Sequence, residues 1–289
     1  MPVPASGTVP RPVVFVHTND DQLLAAKVAA HSLKLRSAQA DTFDVRVLRV
    51  EETPRLPARL HGRRIRYAGE LIRWNGLTVS PLRMLVPQLM GYRGRALVLD
   101  PDIVAVGDVA ALLQEDMAGA AVRCRERDDW HRGVPTRVWS TSVMLLDCER
   151  LRHWRWDAAI EEVRAGRLDL LDWLRLADQA PGSIGPLPEE WNHLDTLTDR
   201  TRLLHYTDVR TQPWRTGLPL DYQLHAVGGS VPAPQVHHRH PDAHQELLFF
   251  ELLGSALECG DIGEEFVASQ VRAGRVRPDV FEMVRAAAG

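Results

Sequence analysis

The order of apolar runs in the first fifty residues constrains this chain more than any other feature. VVFVH (Val13 to His17) is a short apolar run closed by the polar cluster Thr18, Asn19, Asp20 and Asp21. LLAAKVAAHSLKL follows with apolar residues at helical spacing, and FDVRVLRV (Phe43 to Val50) then alternates with the period of a strand. Strand, helix and strand at this spacing predict a parallel pair joined by a right-handed crossover.

The alternation continues. PLRMLVPQLMG predicts a helix from about Pro81 to Gly91, with Pro87 as a kink point, and ALVLD predicts the next buried strand. Asp108 before VAALLQE has the position of a helix N-cap. GAAVRC (Gly119 to Cys124) and TSVMLLD (Thr141 to Asp147) read as further strands, and ERLRHWRWDAAIEEVRAG as an amphipathic helix. A second helix is expected over Leu168 to Ala177, and a late buried strand at LLHY, Leu203 to Tyr206. Residues 51 to 78 carry prolines and the basic patch Arg63, Arg64, Arg66, and read as irregular. Beyond Trp214 the chain turns irregular, passes a His-rich segment (Val236 to His244), and ends in two or three short helices. The expected organisation is a disordered Pro-rich lead-in (1–11), an α/β domain (12–220) and a helical C-terminal annex (221–289). Its central sheet should be mostly parallel and flanked by helices.

Composition excludes several classes. With 289 residues, 45% apolar and 25% charged, the chain can bury the core of one large domain. A formal charge of −3, from 35 basic and 38 acidic residues, lacks the positive field of a nucleic-acid binder. Cys124, Cys148 and Cys259 are odd in number and far apart, which predicts buried thiols in a reducing compartment. The N-terminus has no apolar signal segment and no run approaches a membrane span, so a cytoplasmic location is expected.

In open α/β sheets, ligands bind beyond the carboxyl ends of the strands. There the chain places Asp100-Pro101-Asp102, directly after ALVL. Side chains at i and i+2 of an extended segment point the same way, so both carboxylates can reach one hard cation such as Mg²⁺ or Mn²⁺. Asp-Pro-Asp is also good turn chemistry. His205 follows the apolar pair in LLHY; alone it reads as structural, but with the two aspartates it completes a ligand set suited to Mn²⁺.

RMLVPQLMGYRGRALVLDPDIVAVGDVAALLQED resembles the core signature of glycosyltransferase family 8, which includes glycogenin and the lipopolysaccharide galactosyltransferases. Arg83, Pro87, Gly94, Arg95, the Asp-x-Asp and the glycine-aspartate opening a helix all match. VFVHTNDDQLLAAKVAAHSLKLRS is similar to the family's nucleotide-binding strand, loop and helix, and TSVMLLDCERLRHW to its sugar-site strand. LPEEWNHLD (Leu187 to Asp195) matches its Leu-Pro-x-x-Trp-Asn, and His205 to Trp214 resembles its closing His to Pro-Trp motif. Together these cover about residues 12 to 215 in order.

The resemblance implies a GT-A fold, a UDP-sugar donor, Mn²⁺ (or Mg²⁺) and transfer of a hexosyl group with retention of configuration. It makes Asp100, Asp102 and His205 the metal ligands. Thr18, Asn19 and Asp20 would lie against the nucleoside and Arg83 near the diphosphate or sugar, with Pro101, Ser140, Ser142, Gln212 and Trp214 at further donor positions. The acceptor, a glycan or small molecule, is unspecified; the variable region around 55 to 78 and the annex are where it would be recognised, while the basic patch reads as a solvated face or a partner of Glu70. Three departures stand out. Ser140-Thr141-Ser142 replaces the sugar-site Asn-x-Gly, Gln212 replaces a lysine that reaches the diphosphate, and the Asp-Gln pair near the anomeric carbon falls on either Asp172 or Asp178-Gln179. Spacing favours Asp172, which sits in an intact helix. These departures leave open a degenerate member that binds a nucleotide sugar without transferring it. VHHRHPDAH, with His237, His238, His240 and His244, lacks the spacing of a closed zinc set and reads as a solvated loop.

Overall fold

The computed structural model describes residues 10–53, 64–67, 70–73, 79–131, 134–220 and 236–289. The lead-in over 1–9, Arg63 and most of the variable region before residue 79 lie outside the described residues. Eleven strands are numbered β1 to β11 in chain order. β1 (Val13–Thr18), β2 (Asp44–Arg49), β5 (Arg95–Leu99), β7 (Val122–His131), β8 (Val134–Asp147) and β9 (Ile184–Pro186) form one sheet in the order β2-β1-β5-β8-β7-β9. β1 lies parallel between β2 and β5, as the β-α-β pattern requires, with helix α1 (Leu23–Leu35) as the crossover.

The sheet is mixed rather than uniformly parallel. β8 runs antiparallel to both β5 and β7, and β9 returns parallel to β7. The β7–β8 hairpin is also longer than the apolar pattern predicts, because its outer part is charged. Arg137 there bonds Asp128 and Glu126 of the facing strand, and cross-strand ion pairs of this kind stabilise exposed strands without apolar alternation. A second hairpin, β3 (Arg64–Tyr67) with β4 (Glu70–Arg73), lies in the stretch expected to be irregular. Arg66 in it is exposed.

Alternation along the central strands separates two cores. Val13, Phe15, Ala96, Val98, Met144 and Leu146 pack into one, while Val14, Val16, Leu97, Leu99, Val143 and Leu145 pack into the other. Burial on both faces explains why these strands read as continuous apolar runs. A third core joins α1 to the C-terminal helices Ala243–Glu258, Glu264–Arg272 and Val280–Ala287 through Leu24, Val28, Trp214, Phe249, Leu253, Val267 and Val280. Beside it, His31 of α1 bonds Asp261 at 2.7 Å and Ser255 at 3.0 Å, a polar clasp onto the C-terminal helices.

Several helices are shorter than expected. The run from Pro81 is a 3₁₀ segment (Ser80–Leu85) followed by one α-turn (Val86–Leu89), and Pro87 sits in the first turn, where its missing N–H costs nothing. The segment stops at Gly91, whose φ of +61° is a left-handed helix end. Asp108 does bond the first turn of Ala110–Leu113, accepting from Ala110 N at 2.8 Å. The stretch after β8 begins as 3₁₀ turn and becomes α-helical only over Trp156–Arg164. The next helix is confined to Leu170–Leu174, with Asp169 as its N-cap. Cys124 and Cys148 are buried, but Cys259 is exposed, contrary to expectation. Burial raises the Cys148 thiol to about 12.

Candidate active site

β5 and the short strand β6 (Ile103–Ala105) meet at Asp100-Pro101-Asp102. β6 does not continue the main sheet; it pairs antiparallel with β11 (Leu203–His205), which pairs with β10 (His193–Leu194). In that register His205 faces Ile103, one residue from Asp102, and Tyr206 N donates to Asp102 O at 3.0 Å. Asp100, Asp102 and His205 each offer a ligand atom within 4.8 Å of the others, the only such group of His, Cys, Asp or Glu among the described residues.

Each carboxylate has its own supports. Asp100 accepts from Arg83 Nη2 at 2.7 Å, and its side chain is 21% exposed against 7% for Arg83. The same guanidinium donates to Thr141 Oγ1 at 2.6 Å and to His17 Nε2 at 3.3 Å. His17, next to last in β1, is fully buried; burial first, then the Arg83 charge, hold its pKa well below the ordinary value. Its Nε2 lies between Arg83 Nε, at 3.3 Å, and Asp100 Oδ1, at 3.1 Å. Burial pushes Asp100 up to about 6; Arg83 pulls against this and Asp102 adds to it.

Asp102 is held differently. Gln212 Nε2 donates to its Oδ2 at 3.0 Å, and Gln22 Nε2 donates to Gln212 Oε1 at 3.1 Å. The other oxygen, Oδ1, is buried and accepts no hydrogen bond, although His205 Nε2 lies only 3.2 Å away. Burial acts to lower the His205 pKa, but the nearby Asp102 charge outweighs it, and the net shift is upward. His205 Nδ1 meets Asn192 Oδ1 at 3.0 Å, so Nδ1 carries a proton. With Nδ1 held by Asn192, loss of the Nε2 proton turns a lone pair toward Asp102 Oδ1, and a cation that displaces that proton would meet two carboxylates and one imidazole, donors that Mn²⁺ or Mg²⁺ accepts.

The structure brings some of the expected residues to this point and sends others elsewhere. Ser140 and Ser142 on β8 lie beside Asp100, whose N donates to Ser142 O at 3.0 Å, but both hydroxyls are engaged by Asn192. Thr18 is buried at the end of β1. Asn19 caps the following turn by accepting from Gln22 N at 3.0 Å, and Asp20 bonds Arg49. Pro101 is buried between the carboxylates. Trp214 is fully buried and stacked on Phe249 at 4.7 Å, so its ring belongs to the C-terminal core. Arg210 makes a paired contact with Asp208, at 2.9 and 2.8 Å.

Asp172 and the Asp178-Gln179 pair lie in different surroundings. Asp172 sits in the helix Leu170–Leu174, which Thr141 ties to Arg83 by donating to Leu174 O at 2.7 Å. Gln179 lies past that helix and accepts from Trp154 Nε1 at 2.9 Å, and Asp178 is exposed. The His-rich segment is not simply solvated: His237 and His240 are buried, and His240 packs edge-on against Tyr206 at 5.8 Å.

Asn192 and His17 are the site residues that sequence reasoning missed. Asn192 belongs to the Leu-Pro-x-x-Trp-Asn stretch and His17 to the first apolar run. Their partners lie far away in sequence, so motif position alone carried no sign of contact.

No family model matches the chain. Protein CDI of Arabidopsis thaliana is 25% identical over 221 residues, covering 70% of this chain and 78% of that protein. The galactosyltransferase LgtC, solved with donor and acceptor sugar analogues, superposes with a TM-score of 0.54 at 17% identity, covering 89% of this chain and 99% of LgtC. The fold is that of GT-A glycosyltransferases. The bifunctional glycosyltransferase WbbM matches with a TM-score of 0.50 at 14% identity, covering 74% of this chain and about half (48%) of WbbM. No helix among the described residues is long and apolar enough to cross a membrane.

Proposed function

We propose that this chain is a metal-dependent, retaining glycosyltransferase that moves a hexosyl group from a UDP-linked sugar to a glycan or small-molecule acceptor. The observation that carries this reading is the convergence of Asp100, Asp102 and His205 on a GT-A fold, with a buried Asp102 oxygen that accepts no hydrogen bond. These three residues would hold Mn²⁺ or Mg²⁺. Once bound, the ion supplies neutralisation of the charge that develops on the nucleotide leaving group.

The protein's own residues do the rest. Arg83, clamped by Asp100, Thr141 and His17, keeps a fixed guanidinium beside the carboxylates, where a fork of N–H donors suits phosphate oxygens. Thr18, Asn19 and Asp20 close the end of β1, on the side where a nucleoside would lie. Asp172, tied to Arg83 through Leu174 and Thr141, is the carboxylate we assign near the anomeric carbon. It would stabilise positive charge on the sugar as the leaving group departs.

A second reading, binding without transfer, has one observation in its favour. Gln212, Ser140 and Ser142, which stand where the family contacts the donor, are all hydrogen-bonded within the protein. One assay separates the two. The protein is incubated with a panel of nucleotide sugars and Mn²⁺, and free nucleotide and sugar are followed. Slow UDP release from one donor, lost in Asp102→Ala, supports transfer. UDP binding with no turnover of any donor, even with crude acceptor extracts, supports the binding-only reading, and pyrophosphate release would sink both.

A further inference from the structure

We infer that Asn192 is a positioning residue for the cation site, and that Ser140 and Ser142 serve this residue rather than the sugar. The inference rests on the metal-site reading of Asp100, Asp102 and His205. Asn192 is fully buried in the 3₁₀ turn Glu189–Asn192 and uses both ends of its amide. Its Oδ1 meets His205 Nδ1 at 3.0 Å, and its Nδ2 donates to Ser142 Oγ at 2.9 Å and Ser140 Oγ at 3.2 Å. The two hydroxyls also meet each other at 3.2 Å, and both serines are nearly buried.

The polarity of this relay has a consequence. An amide whose nitrogen is committed to two serines must turn its oxygen to His205. That oxygen can only accept, so it keeps the proton of a neutral imidazole on Nδ1 and leaves the Nε2 lone pair for the cation. Outer partners of this kind set the tautomer and ring orientation of metal-ligating histidines. The local backbone supports it. β7 and β8 lose register here, with Arg123 opposite Leu145 but Arg125 opposite Ser140, and such irregularities re-aim side chains beside functional sites. Ser140 and Ser142 turn to Asn192, while Thr141 between them turns to Arg83 and Leu174 O. The Ser-Thr-Ser tripeptide thus steadies His205 through Asn192 and Asp100 through Arg83.

The test is direct titration of the full-length protein with Mn²⁺ alone, read by calorimetry, with thermal melts recorded in chelator. Asn192→Leu removes both ends of the relay and should weaken Mn²⁺ binding by about 10–100-fold, the usual effect of losing an outer partner of a metal ligand. Asn192→Asp keeps the acceptor for His205 and should recover most of that loss, although it cannot donate to the serines. Unchanged affinity in a folded Asn192→Leu protein, or equal loss in both variants, overturns the inference. If Asn192→Leu does not fold, the Ser140→Ala/Ser142→Ala pair decides, because it frees the amide to flip. Several-fold weaker Mn²⁺ binding supports the relay; parental affinity overturns it. Failure of the unmodified protein to bind Mn²⁺ at all overturns the metal-site reading itself, and the inference with it.

Discussion

Arg83 and Asp100 form an ion pair of 2.7 Å at the carboxyl end of β5 in the middle of the central sheet, with the guanidinium almost fully buried. Burial alone would make both charges costly, yet the geometry satisfies Arg83 three times, through Asp100, Thr141 and His17. Removing one partner strands the other. Arg83→Ala should destabilise the protein by about 3–5 kcal/mol in urea unfolding, the usual cost of breaking a buried pair. Adding Asp100→Asn should restore part of the loss, and a double variant no more stable than Arg83→Ala would show that the pair is not coupled.

Asp100 has a folded pKa of about 6 against an ordinary 3.8, so between these values the folded chain holds a proton that the unfolded chain has released. Stability should therefore fall as pH rises from about 4 to about 6. The His205 pKa is raised above 6.5; its contribution is complete below that value and is lost as pH climbs through the folded pKa. Urea unfolding in chelator across this range should show the decline, and Asp100→Asn should flatten its lower part. Mn²⁺ must displace these protons, so its affinity should rise over the same interval.

Gln212 stands where the resemblance expects a lysine. Its neutral amide orients Asp102 without adding a positive charge. Gln212→Lys would put an ammonium beside Asp102 and pair with the carboxylate. Mn²⁺ binding in the absence of nucleotide should weaken at least about tenfold, given that one pair at this range and partial burial is worth a few kcal/mol. Calorimetry checks it, and tighter Mn²⁺ binding would contradict the placement.

Asp242 caps the helix Ala243–Glu258, accepting from His244 N at 2.8 Å and Gln245 N at 3.4 Å. The Gln245 side chain, then these backbone donors against some burial, hold its pKa below 3.8. A depressed carboxyl contributes stability above its unfolded pKa and loses it as pH falls through the folded one. Asp242→Ala should cost about 1 kcal/mol at neutral pH, and the difference from the parent should shrink in acid.

Trp214 tests where the chain's C-terminal part is anchored. Its ring stacks on Phe249 and meets Tyr206 edge-on at 6.0 Å. Trp214→Ala should cost about 3–5 kcal/mol, typical of a large aromatic removed from a core. If Trp214 instead contacted the donor, stability would hardly change while nucleotide binding fell.

Parts of this molecule were legible in the sequence for clear physical reasons. The central strands are buried on both faces, so Val13 to His17 and Arg95 to Leu99 announce themselves as apolar runs with polar residues where a ligand can reach. Asp100, Asp102 and His205 follow from that placement. The outer β7–β8 hairpin did not show, because its strands exchange ion pairs instead of apolar contacts. Asn192 did not show either, nor did the bond of Gln212 to Asp102. An amide has no composition signal, and its meaning lies in partners supplied by distant segments. Trp214 was misplaced for the opposite reason: the motif points it at a donor, while the fold buries it behind the site.

The pairing of β6 with β11 also bears on when the site can come into being. Gln212 follows Asp102 by 110 positions, and His205 reaches its neighbour only once β11 has docked on β6. Closing so long a loop carries an entropic cost that no local contact offsets, so this pairing belongs to the slow, non-local phase of folding. A growing chain can complete β1, α1 and β5, with Arg83 and His17 already beside Asp100, long before His205 arrives to face Asp102. Ion capture by the full set would therefore report that the whole domain, not merely its first half, has closed.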